Sequence, residues 1–148
     1  EDAERAARLL SAGVDAFVDR WRALPLFATQ DRLPDEERAA HDRRRRSHTA
    51  DGLAWAIDTL SPGRMTDFRP SLARLDLPVD VLVGEDDARF LPLAHEITDQ
   101  IPDGRLRIIA GAGHDVVLES PSAVAAAVTD TRRSRTDATR SLPTQGVA

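Results

Sequence analysis

Only two stretches of this chain read as β-strands, and both end in residues that carry chemistry. Val79-Asp80-Val81-Leu82-Val83 is a largely apolar, β-branched run that stops at Gly84, and Glu85-Asp86-Asp87 follows where a strand would hand over to a helix. Leu106, Ile108 and Ile109 form the second run, which stops at the glycine-rich turn Gly111-Ala112-Gly113 and presents His114. Leu91 to Ile101 between them has helical spacing, so the unit is predicted as strand, helix and parallel strand with a right-handed crossover. Parallel neighbours present the residues that follow them at one edge of the sheet, so a carboxylate and an imidazole are expected side by side there. Two parallel strands are too few for a stable sheet, which needs further neighbours and cover on both faces. The missing strands are expected to lie N-terminal to this stretch.

Upstream of Val79 the pattern is helical. Ala3 to Leu10 mixes charge with Ala and Leu, Ser11 and Gly13 interrupt, and Val14, Phe17, Val18 and Trp21 resume an i, i+3, i+4, i+7 spacing. Pro25 ends this pair of helices, and Leu26-Phe27-Ala28 is predicted as a short apolar loop. Pro34 with Asp35, Glu36 and Glu37 opens the next helix, since proline and carboxylates both suit a first turn, and that helix runs into Arg43-Arg44-Arg45-Arg46. Leu53, Ala54, Ile57 and Leu60 mark a helix over Asp51 to Leu60, and a short helical piece follows from Pro70 to Leu75. The change of character places a boundary at about Leu77. The expected organisation is a helical domain over 1–77, a strand-and-helix domain over 78–130 closed by a helix from Ser122 to Val128, and a tail over 131–148. That tail is too poor in apolar residues to offset its ordering entropy and is predicted to be disordered.

Composition narrows the function classes. With no Cys among 148 residues, disulfides, thiol nucleophiles and thiolate metal sites are excluded. His41, His48 and His95 have no ligand spacing among them, so no metal is expected. The net charge of -5, and an arginine run without interleaved aromatics, argue against a nucleic-acid partner. No apolar run is long enough to cross a bilayer, and Glu1-Asp2-Ala3-Glu4 is unlike a signal peptide; a cytoplasmic protein with no membrane partner is expected.

Gly84-Glu85-Asp86-Asp87 after one strand and Gly111-Ala112-Gly113-His114 after the next resemble the acid and histidine segments of the α/β-hydrolase fold, whose triad runs in the order Ser, Asp, His. The helices before them resemble the cap that this fold inserts between two late strands. Within the cap, Asp19 to Phe27, Leu33 to Arg38, Gly52 to Ile57 and Asp67 to Pro70 are similar to the 2-succinyl-6-hydroxy-2,4-cyclohexadiene-1-carboxylate synthases of menaquinone biosynthesis. The resemblance implies an α/β fold: a helical cap followed by a βαβα segment of the hydrolase sheet. It further implies a lyase that uses a Ser-His-Asp base to eliminate pyruvate from a substrate bearing several carboxylates, with no cofactor. His114 would exchange the proton with the serine and Asp87 would orient it. Trp21 matches a cap tryptophan that faces the substrate, and Arg45 or Arg46 matches a carboxylate-binding arginine. Arg5 or Arg8 is a looser match to a second such arginine.

The resemblance has a gap. None of the serines, Ser11, Ser47, Ser61, Ser71, Ser120, Ser122, Ser134 and Ser141, stands in G-x-S-x-G. The chain is therefore expected to be the cap and C-terminal portion of such an enzyme, inactive without a partner half that carries the serine. Alternatives stay open at this level. Asp87 could be a helix-capping acid, with Asp86 as the functional one, and His114 a surface loop residue. Trp21 could be cap core, as Trp55 is expected to be, and the arginine run a solvated helix end. The whole could be part of a capped hydrolase of esters or carbon–carbon bonds, or a non-catalytic binding module.

Overall fold

A computed structural model describes residues 2–140. The chain forms two compact units, residues 1–68 and residues 69–148. The division falls within the polar, proline-punctuated stretch from Met65 to Pro78, ahead of the boundary expected at about Leu77, so the second unit takes in the 3-10 helix Arg69–Arg74 as well as the strands. Among the described residues no helix is long and apolar enough to cross a membrane.

The first unit is helical. Helix α1 (Asp2–Arg22) consists of two helical halves joined at a kink, where Gly13 adopts φ 82°, ψ 170°. That region of backbone space is open essentially to glycine alone, so the interruption expected at Ser11–Gly13 is a bend with a specific residue requirement. Helix α2 (Asp35–Arg46) and helix α3 (Ala50–Thr59) follow. The core forms where α1 meets α3: Ala6, Leu9 and Ala54 are buried, with Val14, Phe17, Leu53 and Ile57 packed against them. Trp55 is exposed, not core, because the face that its neighbours Ala54 and Ile57 define turns it outward. The apolar loop expected at Leu26-Phe27-Ala28 is instead part of a 3-10 helix, Pro25–Arg32, that opens on its proline and buries Phe27.

The second unit is the β1–α4–β2 segment with two helices behind it. Strand β1 (Val79–Gly84) and strand β2 (Gly104–Ile109) pair in parallel, with Val79 opposite Gly104 and Gly84 opposite Ile109. The two strands therefore finish level. Helix α4 (Leu91–Asp99) makes the crossover. Its Ala94, with Ile101, Val83, Ala112 and Ala127, is buried in this unit. After β2 comes a single helical turn, α5 (Val116–Glu119), capped by the Asp115 carboxylate on the Leu118 amide at 3.2 Å. Helix α6 (Pro121–Arg140) runs well past Asp130, where the polar tail was expected to begin. No Gly or Pro interrupts it, and a polar network fixes its middle to the sheet: Arg107 bridges Asp80 at 2.8 Å and Asp130 at 3.2 Å, and Thr131 donates to Asp80. The remainder of that expected tail, 141–148, lies outside the described residues.

Candidate active site

Because β1 and β2 end level, the loops that leave Gly84 and Ile109 emerge together, and they are knitted to one another. Glu85 N–H donates to Ile109 O, and Asp86 N–H to Ala112 O, both at 2.9 Å. The approach is so close that a Cβ at Gly84 would lie 2.1 Å from Gly113 O and 2.3 Å from Ala112 O. Gly84 is thus required by contact, and Gly111 by its positive φ of 67°.

This seating brings the two residues singled out by sequence together. His114 Nδ1 stands 2.8 Å from Asp87 Oδ2. Asp87 is buried, its side chain 3% exposed, whereas the imidazole is about one-third exposed. The other carboxylate oxygen, Oδ1, accepts from the Phe90 amide at 3.1 Å and so ties down the turn before α4, whose N-cap is Phe90 and has no side-chain capping bond. Asp86, its neighbour, is exposed. The Phe90 ring packs on the imidazole with centroids 4.6 Å apart. A carboxylate on Nδ1 favours the tautomer that carries its hydrogen there, which puts the basic lone pair on Nε2. The pair is thereby arranged to take a proton at Nε2 and to stabilise the imidazolium that results.

Two contacts went unread in the sequence. Phe90 closes the Gly84–Phe90 segment that carries the acid, but its packing on His114 depends on the turn that follows Asp87. Glu119 receives the Gly113 amide at 2.7 Å and the Asp115 amide at 3.2 Å, one on each side of His114. A carboxylate five residues after the histidine was the only signal, and nothing in the sequence shows that α5 turns it back.

In the first unit, Trp21 stacks between Phe17 (5.6 Å) and Phe27 (5.3 Å) and is half-buried. It borders a cavity of about 200 Å³ lined by α1 residues on both sides of Gly13 in the chain, Arg5, Arg8, Leu9, Ala12, Phe17 and Arg20 among them, and by Leu24. The two arginine candidates differ in surroundings. Arg46 is held by Asp15 (2.9 Å) and Asp19 on α1, with Asp42 at 3.8 Å; its hydrogen bonds to Asp19 and then Asp15 push its pKa well above the ordinary guanidinium range. Arg45 instead donates to Gln30 at 3.3 Å and lies over the Phe27 ring at 5.9 Å, which joins it to Trp21 through that ring. Among the described residues no three His, Asp or Glu side chains are grouped as a metal would need.

Residues 2–127 match the alpha/beta hydrolase family, and the chain belongs to it. The chain is similar to the putative 2-succinyl-6-hydroxy-2,4-cyclohexadiene-1-carboxylate synthase of Bacillus subtilis (strain 168), 31% identical over 120 residues that cover 81% of this chain and 44% of that protein. It is 30% identical over 134 residues to the synthase of Enterobacter sp. (strain 638), covering 90% and 49% respectively. The solved structure of MenH from S. aureus superposes with a TM-score of 0.86 at 28% identity, over 90% of this chain and 50% of that one. The chain thus spans about half the length of the relatives it matches.

Proposed function

We propose that the chain supplies the base, its orienting acid and the substrate-binding cap of a lyase that eliminates pyruvate from a menaquinone precursor, and that a serine from outside residues 1–148 completes the site. The observation that carries this reading is the 2.8 Å contact between His114 Nδ1 and the buried Asp87 carboxylate at the carboxyl edge of β1 and β2. Nε2 of His114 accepts the serine hydroxyl proton as the serine oxygen removes a proton from substrate carbon; the electron pair of that C–H bond forms the ring diene and expels pyruvate as its enolate, which takes up the proton held by the imidazolium. Asp87 stabilises the imidazolium during that step.

The cap residues are assigned by where they stand. Arg45 lies over the Phe27 ring, beside the Phe17–Trp21–Phe27 stack, and is read as the carboxylate ligand, while Arg46 ties α2 to Asp15 and Asp19 of α1. The cavity beside Trp21, where Arg8 and Arg20 stand with Arg5, itself bonded to Asp2 at 3.0 Å, suits a second carboxylate. The cysteine-free sequence is in keeping with a reducing, cytoplasmic setting.

Reconstitution tests the proposal. Residues 1–148 are co-expressed with a synthase half that carries G-x-S-x-G, and pyruvate release is followed from the precursor. Release is expected from the pair, none from residues 1–148 alone, and a collapse with His114→Ala, since triad members act as a unit. Release that survives His114→Ala unchanged refutes the assignment of the base; hydrolysis of simple esters in place of pyruvate release moves the protein to the capped hydrolases.

A further inference from the structure

The Asp87–His114 pair is held from its two sides by different means, and the histidine side depends on a residue outside the pair. Asp87 is fixed locally, by the Phe90 amide on Oδ1 and by its own backbone in the turn after β1. His114 sits in a loop with a glycine before it and no strand or long helix to hold it. Two carboxylates take up that loop's amides. Glu119 receives Gly113 N–H on Oε2 at 2.7 Å and Asp115 N–H on Oε1 at 3.2 Å, and Glu85 receives Gly111 N–H at 3.0 Å. The residues immediately before and after His114 are thereby pinned to one side chain. Their separation on its two oxygens sets the direction in which the histidine Cα–Cβ bond points.

We propose that Glu119, seconded by Glu85, is a positioning residue that aims the His114 imidazole at Asp87. The proposal rests on the reading of Asp87 and His114 as the acid and base. Charge-assisted bonds suit this task, because a carboxylate holds an amide about twice as strongly as a neutral acceptor does. The helix that carries Glu119 is only one turn long, from Val116 to Glu119, so the carboxylate acts chiefly through the His114 loop and not through a large packed surface.

The test is by NMR on the full chain, which needs neither the serine nor a substrate. In the wild type, the hydrogen between His114 Nδ1 and Asp87 gives a downfield imidazole resonance, and the Gly113 and Asp115 amides are protected from exchange. Glu119→Gln keeps the volume and one good acceptor, so one of the two amides should exchange about 10-fold or more faster while the other stays protected. Glu119→Ala should release both and broaden or abolish the Nδ1 resonance. Amides of β1 and β2 should keep their wild-type protection in Glu119→Gln. Wild-type exchange at both amides, or an unchanged Nδ1 resonance in both variants, overturns the proposal. Equal loss of protection in the strands also overturns it, since Glu119 would then be a general stabiliser. A wild-type chain without the Nδ1 resonance refutes the acid–base pair itself, a distinct failure.

Discussion

Gly84→Ala is the smallest change that should separate the acid from the base without touching either. The new Cβ would lie 2.1 Å from Gly113 O, 2.3 Å from Ala112 O and 2.6 Å from Ala112 C, all of them backbone atoms that cannot rotate aside. To restore an ordinary contact the His114 loop must retreat by about 1.3 Å, in a structure packed too densely to absorb that locally. The 2.9 Å hydrogen bond from the Asp86 amide to Ala112 O then stretches past useful range, a net loss of about 1 kcal/mol, on top of overpacking of about 1–3 kcal/mol. The second unit should lose about 3 kcal/mol. Tryptophan fluorescence cannot measure this, because Trp21 and Trp55 are both in the first unit. Hydrogen exchange at the strand amides can, under conditions where exchange reports opening free energy. The functional consequence is steeper: a displacement of that size takes His114 Nδ1 out of reach of Asp87, and a misplacement of about 1 Å can cost on the order of 100-fold in rate. A Gly84→Ala chain with strand stability within about 0.5 kcal/mol of wild type and an intact Nδ1 resonance would refute the close approach as the reason for this glycine.

Burial pushes the Asp80 carboxyl up, but hydrogen bonds from Arg107 and Thr131 outweigh it and hold the pKa below the ordinary 3.8; its contribution to stability is therefore present above that value and is lost as pH falls through the lower, folded one. Urea titrations at pH 7 and pH 3 should show a drop in the second unit that Asp80→Asn flattens; an equal drop in the variant contradicts the assignment. Leu9, 1% exposed between α1 and α3, should cost about 2–5 kcal/mol of first-unit stability as Leu9→Ala, read by tryptophan fluorescence in denaturant. Gly13→Ala places a Cβ at φ 82°, ψ 170° with open space around it, so its penalty of about 1–3 kcal/mol is pure backbone strain, and Gly13→Asn should not rescue it because ψ is far from the left-handed helical well. In the reconstituted enzyme, Arg45→Ala should raise KM with little change in unfolding midpoint, and Arg46→Ala should lower the midpoint by detaching α2 from α1; the reverse pattern would exchange their roles.

What could be read from the sequence followed the range of the forces involved. Helical spacing, Pro34 before three acids, and β-branched runs ending in glycine are local signals, and α2, α3, β1, α4 and β2 lie within a residue or two of their expected bounds. Periodicity could not choose between Asp86 and Asp87, because the choice is made by a turn: Asp87 N–H folds back on Gly84 O at 3.1 Å and tucks that side chain inward. Arg45 and Arg46 are likewise adjacent and chemically identical. They are told apart by residues distant in sequence: Asp15 and Asp19 of α1 hold Arg46, and Gln30 and the Phe27 ring meet Arg45. Helix α6 outran its apolar pattern because the network around Asp80 and Arg107 secures its middle through polar contacts, to which hydrophobic periodicity is blind.

The acid is fixed against the base by bonds made between Gly84 and Glu119: the Phe90 amide on Asp87, the Asp86 amide on Ala112, the amides of Gly111, Gly113 and Asp115 on Glu85 and Glu119. The pair is thus assembled by one turn of the fold and a single-turn helix, and its geometry needs no serine to form. Its reactivity does, because an imidazole aimed by a buried carboxylate gains a catalytic task only when a hydroxyl stands at Nε2 to surrender its proton. Binding a serine-bearing half should therefore leave the Nδ1 side of His114 unchanged and perturb the Nε2 side alone. The two ring nitrogens can be followed separately by 15N NMR as that half is added. A shift confined to Nε2 is the expected result. A large change at Nδ1 would show that the pair is completed by the partner and not by the loops of β1 and β2.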